Sequence, residues 1–386
     1  MLNIAIVNDT VIAVEALRRA IALTPEYQLL WVAYTGIEAV QRCAVQRPDL
    51  ILMDLNMPAL SGAEATRQIM QRSPCAILIV TASITRNTAQ VFEAMGHGAL
   101  DVVTTPALGT GEPEAVQTLL RKIEIVARLA YSARRSSLNA SKLNSAELNS
   151  PKLNSANLQK ANLQKTNLQK ASLRKTNLQS ANLQNKEIAL SPQKRPSSSP
   201  QRLPNLIIIG TSTGGPNALQ HILSQLPQAF HAAIVVIQHI DAQFAPGLVD
   251  WLNQSSQLPV TLARNGDRPQ AGHVLMAGTN DHLMMRTNQT LRYIHEPANS
   301  PHRPSVDVFF KSVARHWPQP GIALLLTGMG RDGAGGLALL KSTKWHTVAE
   351  SAESCVVFGM PKAAIEQGAA GQILPLSQMA SYLAQI

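Results

Sequence analysis

Cysteine is scarce: three occur in 386 residues, Cys43, Cys75 and Cys355, and no two stand close enough in sequence to suggest a zinc site or a redox dithiol. That scarcity fits a reducing compartment. Long apolar runs are missing too. No stretch of about 18 uninterrupted apolar residues occurs, and the opening MLNIAIVNDT carries no basic lead-in, long apolar core or small-residue cleavage site. The expectation is a soluble, cytoplasmic protein that is not membrane-inserted. Outside one segment the chain also lacks an excess of positive charge, although its net charge is +10. Between Tyr131 and Leu203 thirteen basic residues face two acidic ones, while the remainder holds 21 basic and 22 acidic. A DNA-binding domain usually carries its basic patch on a folded face, so no nucleic-acid partner is expected.

What is present divides into three stretches. In residues 1–130, short β-branched runs (NIAIV, LILMD, AILIV, DVVTTP) alternate with amphipathic stretches such as AVEALRRAIAL and GIEAVQRCAVQ. Repeated βα units imply a parallel sheet covered on both faces, with ligands at the carboxyl ends of its strands. Those ends carry Asn8 and Asp9, Asp54, Thr81, and Thr105 with Pro106. In residues 131–204, leucine recurs at every fifth position from Leu138 to Leu183. A period of five fits neither helix nor strand. These repeats resemble pentapeptide repeats, which wind into a square β-helix. Ten of them would complete only about two and a half coils and bury little apolar area, so a disordered, low-complexity tether is the favoured reading. Residues 205–386 again alternate strands (LIIIG, AAIVVIQ, HVLMAG, GIALLLTG, HTVAES) with helices, and imply a second doubly wound α/β sheet.

The strand ends carry the chemistry. In the first stretch, Asp9 and Asp54 would converge at one sheet edge, and two carboxylates with a carbonyl suit Mg²⁺. A single loop aspartate more often caps a helix; the constellation is the more specific signal. In the last stretch, GTSTGGPN has Pro216 where a phosphate-binding P-loop needs Lys, and G-x-G-x-x-G is absent. Gly210, Ser212 and Gly214 satisfy G-x-S-x-G, which exposes a serine on a sharp strand-to-helix turn, though a glycine-rich turn explains that pentapeptide equally well. A serine nucleophile needs a base and a group to orient it. His239 follows AAIVVIQ directly, and Asp332 lies in LLLTGMGRDGAGG just past another strand. Ordinary readings exist for both: a loop histidine, and an N-cap aspartate before AGGLALLKS. Together, three strand ends of one sheet point to nucleophile, base and orienter.

Two resemblances follow from these motifs. VNDT, LILMDLNMPALSG, ILIVTAS and GALDVVTTPALG resemble a response-regulator receiver domain, a flavodoxin-like doubly wound sheet. That resemblance implies Asp54 as phosphoacceptor, Asp9, Asp54 and the Asn56 carbonyl as Mg²⁺ ligands, and Thr81 as the switch hydroxyl. Two positions depart from the receiver pattern: Asn8 replaces a second acid, and Thr105 replaces the lysine before the proline. IIIGTSTGGPNAL, VVIQHI, RPSVDVFFKSVA, LLLTGMGRDGAGGL and ESCVVFGMPKAAI resemble the catalytic domain of CheB-type protein-glutamate methylesterase/glutaminases, and the receiver departures are more like the Wsp-type surface-sensing branch. The implied roles are Ser212 as nucleophile, His239 as general base, Asp332 as its orienting carboxylate, and backbone N–H groups near Met329 as oxyanion donors. The implied partners are methyl-accepting chemotaxis receptors as substrate and a CheA-type histidine kinase as phosphodonor. Mg²⁺ is expected for receiver phosphorylation and no cofactor for the esterase; the protein would be peripheral to receptor arrays. A non-catalytic adaptor binding receptor or kinase is the alternative.

Overall fold

The computed structural model describes residues 1–82, 84–106, 115–127 and 203–385. The leucine repeat, and with it the choice between coil and tether, lies outside the described residues. The described residues of 1–127 and 204–385 pack as one compact unit.

The N-terminal half runs β1 (Leu2–Val7), α1 (Val11–Ala22), β2 (Tyr27–Ala33), α2 (Gly36–Val45), β3 (Leu50–Met53), α3 (Gly62–Arg72), β4 (Ala76–Thr81), α4 (Ile84–Gly96) and β5 (Asp101–Thr104), followed by helical residues 115–127, α5. Its five strands pair in parallel in the order β2-β1-β3-β4-β5. Helices cover both faces, which is why every residue of LILM in β3 and AILIVT in β4 is buried. Local signals fix the helix starts: Thr35 accepts the Glu38 amide at 3.1 Å to open α2, and Ser61 accepts that of Glu64 at 3.3 Å to open α3.

The C-terminal half begins with β6 (Leu206–Thr211), α6 (Gly215–Leu223), β7 (Ala233–Gln238), α7 (Ala245–Asn253), β8 (Val260–Leu262) and β9 (Val274–Met276). A hairpin of β10 (His282–Met285) and β11 (Leu291–Ile294) leads to α8 (Val306–His316) and β12 (Ile322–Leu325). The chain ends with α9 (Ala334–Ser342), β13 (His346–Glu350), α10 (Met360–Glu366), β14 (Gln372–Leu374) and α11 (Leu376–Leu383). Seven strands form one parallel sheet, β14-β13-β12-β6-β7-β9-β8. From β6 the chain winds first to β7 on one side and later returns to β12 on the other, so a topological switch lies at β6, where such sheets form their ligand crevice. The short strands β8 and β14 and the antiparallel β10–β11 pair add to the strands expected from sequence.

Helix α4 packs on α6 and α7. Phe92 and Trp251 stack there with ring centroids 5.8 Å apart, and the Asn217 amide donates to the Met95 carbonyl at 2.7 Å. One expectation needs correction. Cys43 on α2 and Cys75 just before β4 are 32 positions apart, yet the fold brings their sulfurs to 3.9 Å, a pairing that sequence spacing hides.

Candidate active site

Ser212 sits on the turn leaving β6, and neighbours on both sides hold that turn. The Ser212 N–H donates to the Thr327 carbonyl at 3.0 Å, and its own carbonyl accepts from the Gly215 N–H at 2.8 Å and from Gln238 Nε2 at 2.9 Å. Thr327 Oγ1 donates to the Thr213 carbonyl at 2.9 Å and accepts the Val357 amide at 2.8 Å. Gly214 has φ +81°, in the left-handed region, and an added Cβ would stand 2.6 Å from Val356 Cβ. The glycine is thus required twice, by conformation and by space. Because the Ser212 amide is committed to Thr327, it is not free to stabilise an oxyanion. The Met329 amide, just beyond β12, has no acceptor among the described residues.

His239 follows β7, and its N–H donates to the Thr211 carbonyl at 3.0 Å. Its Nε2 lies 2.7 Å from Asp332 Oδ2, with both side chains largely buried. A carboxylate at Nε2 fixes the proton on that nitrogen and leaves Nδ1 as the lone-pair acceptor. Nδ1 is buried with no partner among the described residues. Asp332 does not cap α9, whose N-cap is Gly333. Its carboxylate instead caps α8: Oδ1 accepts the Ser305 hydroxyl at 2.8 Å and the Asp307 amide at 3.0 Å, and Oδ2 accepts the Val306 amide at 2.8 Å. Burial alone would raise the Asp332 pKa, but the hydrogen bond and charge of His239, with the Asp307 amide and Ser305 hydroxyl, hold it well below the usual carboxylate range.

Two histidines that the sequence reading did not single out surround this pair. The His302 ring stacks on His239, centroids 4.3 Å apart at 11°. Burial, with the adjacent His239, pushes the His302 imidazole down to about 4, so it is neutral near pH 7. His282 Nδ1 accepts the Ser305 amide at 3.1 Å and so braces the residue that holds Asp332. No spacing rule places a loop histidine over a strand-end histidine; only tertiary packing does.

Ser212, His239 and His302 line a cavity of about 440 Å³ whose other wall includes Asp101, Thr104 and Lys122 of the N-terminal half. Asp101 binds Lys122 Nζ at 2.6 Å and accepts the Thr213 hydroxyl, next to Ser212, at 3.2 Å. A separate cavity of about 610 Å³ by β8 is lined by Arg264 and Arg268 and is bordered by neither Ser212 nor His239.

At the other strand-end cluster, Asp54 follows β3 and Asp9 follows β1, the neighbouring strand. Asp54 Oδ1 accepts the Leu55 amide at 2.7 Å. Burial, then the charge of Asp9, raise the Asp54 pKa to about 6 against the opposing Leu55 and Asn56 amides. Asn8 turns its side chain to the Thr10 amide at 2.8 Å, and Thr81 is fully buried at the end of β4. Thr105 Oγ1 is buried without a partner among the described residues. A hard divalent cation fits this donor set, because Asp9 and Asp54 offer only oxygen and their mutual repulsion is what a cation relieves. Among the described residues no three His, Cys, Asp or Glu side chains cluster, so the third protein ligand would be a carbonyl such as that of Asn56.

Comparison with known proteins bears on both sites. The family profile of the CheB methylesterase matches residues 207–383, that of the response regulator receiver domain residues 4–109, and that of pentapeptide repeats residues 152–185 in eight copies. The chain is 46% identical to the protein-glutamate methylesterase/protein-glutamine glutaminase of group 3 operon of Pseudomonas putida, over 100% of this chain and 99% of that protein. It is 44% identical to protein-glutamate methylesterase/protein-glutamine glutaminase 3 of Pseudomonas aeruginosa, with the same coverage. Against protein-glutamate methylesterase/protein-glutamine glutaminase 4 of Burkholderia thailandensis it is 45% identical over 99% of this chain and 96% of that one.

Proposed function

Because the chain belongs to the CheB methylesterase family, we propose that Ser212, His239 and Asp332 carry its reaction: hydrolysis of protein γ-glutamyl methyl esters, with deamidation of protein glutamines. The observation that carries this reading is the His239–Asp332 hydrogen bond of 2.7 Å, clamped by α8 beside the serine turn. His239 Nδ1 takes the Ser212 proton as the hydroxyl oxygen attacks the ester carbonyl. Asp332 holds the imidazole and stabilises its protonated form, and the Met329 N–H donates to the developing oxyanion. His239 returns the proton to the leaving methoxide, methanol departs, and water, deprotonated by the same nitrogen, frees the glutamate. A glutamine side chain follows the same course with ammonia as leaving group.

The substrates in this reading are methyl-accepting chemotaxis receptors, met in the cytoplasm at receptor arrays; among the described residues no helix is long and apolar enough to cross a membrane. Asp54 takes a phosphoryl group from a CheA-type kinase. Asp9, Asp54 and the Asn56 carbonyl would hold Mg²⁺, which supplies charge neutralisation for that transfer. The N-terminal half forms one wall of the Ser212 cavity, so phosphorylation regulates the esterase by loosening that wall. The intact His–Asp pair favours this reading over a non-catalytic adaptor. The test is a comparison of wild type with His239→Gln on methylated receptor membranes: methanol release should fall by about 10³-fold or more, and a rate within twofold of wild type would refute the assignment.

A further inference from the structure

The sulfurs of Cys43 and Cys75 face each other at 3.9 Å across the N-terminal half, outside both sites described above. Cys43 is 1% exposed in the last turn of α2, while Cys75 is half-buried in the irregular segment leading into β4. The Cys43 thiol also approaches the Ser73 carbonyl at 3.6 Å. A disulfide needs a separation of about 2.05 Å, so the sulfurs must close by a little under 2 Å, which side-chain rotation and a small shift of the irregular segment at Cys75 can provide. We propose that Cys43 and Cys75 form a reversible intramolecular disulfide when the protein meets a hydroperoxide.

The two thiols have different surroundings, and these assign the order of events. Cys75 has the greater access to solvent, so its sulfur attacks the peroxide oxygen: the O–O bond breaks, an S–O bond forms, and the peroxide leaves as alcohol or water, giving a sulfenic acid. Cys43 stands 3.9 Å away and is shielded from solvent, which makes it the resolving thiol. Cys43 then attacks the Cys75 sulfur and expels the sulfenic oxygen, which leaves as water once protonated. Two thiols lose two electrons and two protons, and the peroxide bond accepts both. Cys355 stays outside this chemistry, because burial and the neighbouring Glu350 charge hold its thiol far above the usual range. The closed loop would run from residue 43 to residue 75 and enclose β3, Asp54 and α3. Thiol reductants reopen it.

The experiment treats the full chain with hydrogen peroxide, alkylates remaining thiols under denaturing conditions, and digests with trypsin. Pro48 blocks cleavage after Arg47, so Cys43 falls in peptide 43–67 and Cys75 in peptide 73–86. The expected product joins these two peptides with the loss of two hydrogens, vanishes on reduction with dithiothreitol, and leaves Cys355 alkylated. Cys355→Ser should give the same product and Cys75→Ser none. Recovery of Cys43 and Cys75 both as alkylated thiols, or crosslinks that join either to Cys355 or to a second chain, would overturn the proposal.

Discussion

Asp332 holds three donors besides His239, so loss of its charge acts twice. An amide has one acceptor oxygen: with it at the Oδ2 position, serving His239 and Val306, its NH₂ group would face the Ser305 hydroxyl and the Asp307 N–H, two donors left without an acceptor. Asp332→Asn should lower kcat by about 10³- to 10⁴-fold and destabilise the fold by about 1 kcal/mol through the lost cap, as read by steady-state methanol release and urea unfolding. Asp54 carries a different signature. Its pKa is raised from 3.8 to about 6, so the folded state binds this proton more tightly than the unfolded chain. Its contribution is complete at low pH and is lost as pH rises through about 6. Asp54→Asn should therefore melt higher than wild type at about pH 8 and not at about pH 4, and Mg²⁺ should raise the wild-type melting temperature at the higher pH only. Residues of this kind were legible because each follows an apolar strand, Asp54 directly after β3 and Asp332 in the glycine-rich loop after β12, where an α/β sheet puts its ligands. His302 and the Cys43–Cys75 pair were not, since both arise from contacts between segments that no periodicity connects.

Among the elements, the turns after β6 and β12 are closely packed against each other. A Cβ at Gly328 would stand 2.7 Å from Ser212 Cβ, so Gly328→Ala must push the serine or its own turn aside. Misplacement near 1 Å costs about 10²-fold; we expect a loss of roughly that size in kcat with an unchanged far-ultraviolet circular dichroism spectrum. Strands β6, β7 and β12 were readable as buried apolar runs followed by glycine or polar residues. Strands β8 (VTL) and β14 (QIL) have three residues each and, unlike the equally short β9 (VLM), include a polar residue, so neither an apolar run nor a period shows. The β10–β11 hairpin escaped for another reason: its loop closes through the Arg286 amide on the Thr290 carbonyl at 2.9 Å with Gln289 at φ +59°, so the glycine that usually marks such a turn is missing.

For the molecule as a whole, the packing of the two halves is what would connect Asp54 to Ser212. Trp251 stacks on Phe92, and Asp101 reaches the Thr213 hydroxyl beside Ser212. Trp251→Ala should loosen this packing and raise the unphosphorylated esterase rate several-fold, narrowing the gain from a phosphodonor. The two-half organisation was legible in the paired βα patterns, whereas the residues that join the halves were not, because an interface leaves no period in sequence. The most direct test measures methanol release from methylated receptor membranes by wild type and Ser212→Ala, each with and without Mg²⁺ and acetyl phosphate. Wild type should release methanol, faster with the phosphodonor, and Ser212→Ala should release none under either condition. Release by Ser212→Ala at the wild-type rate would contradict Ser212 as the nucleophile.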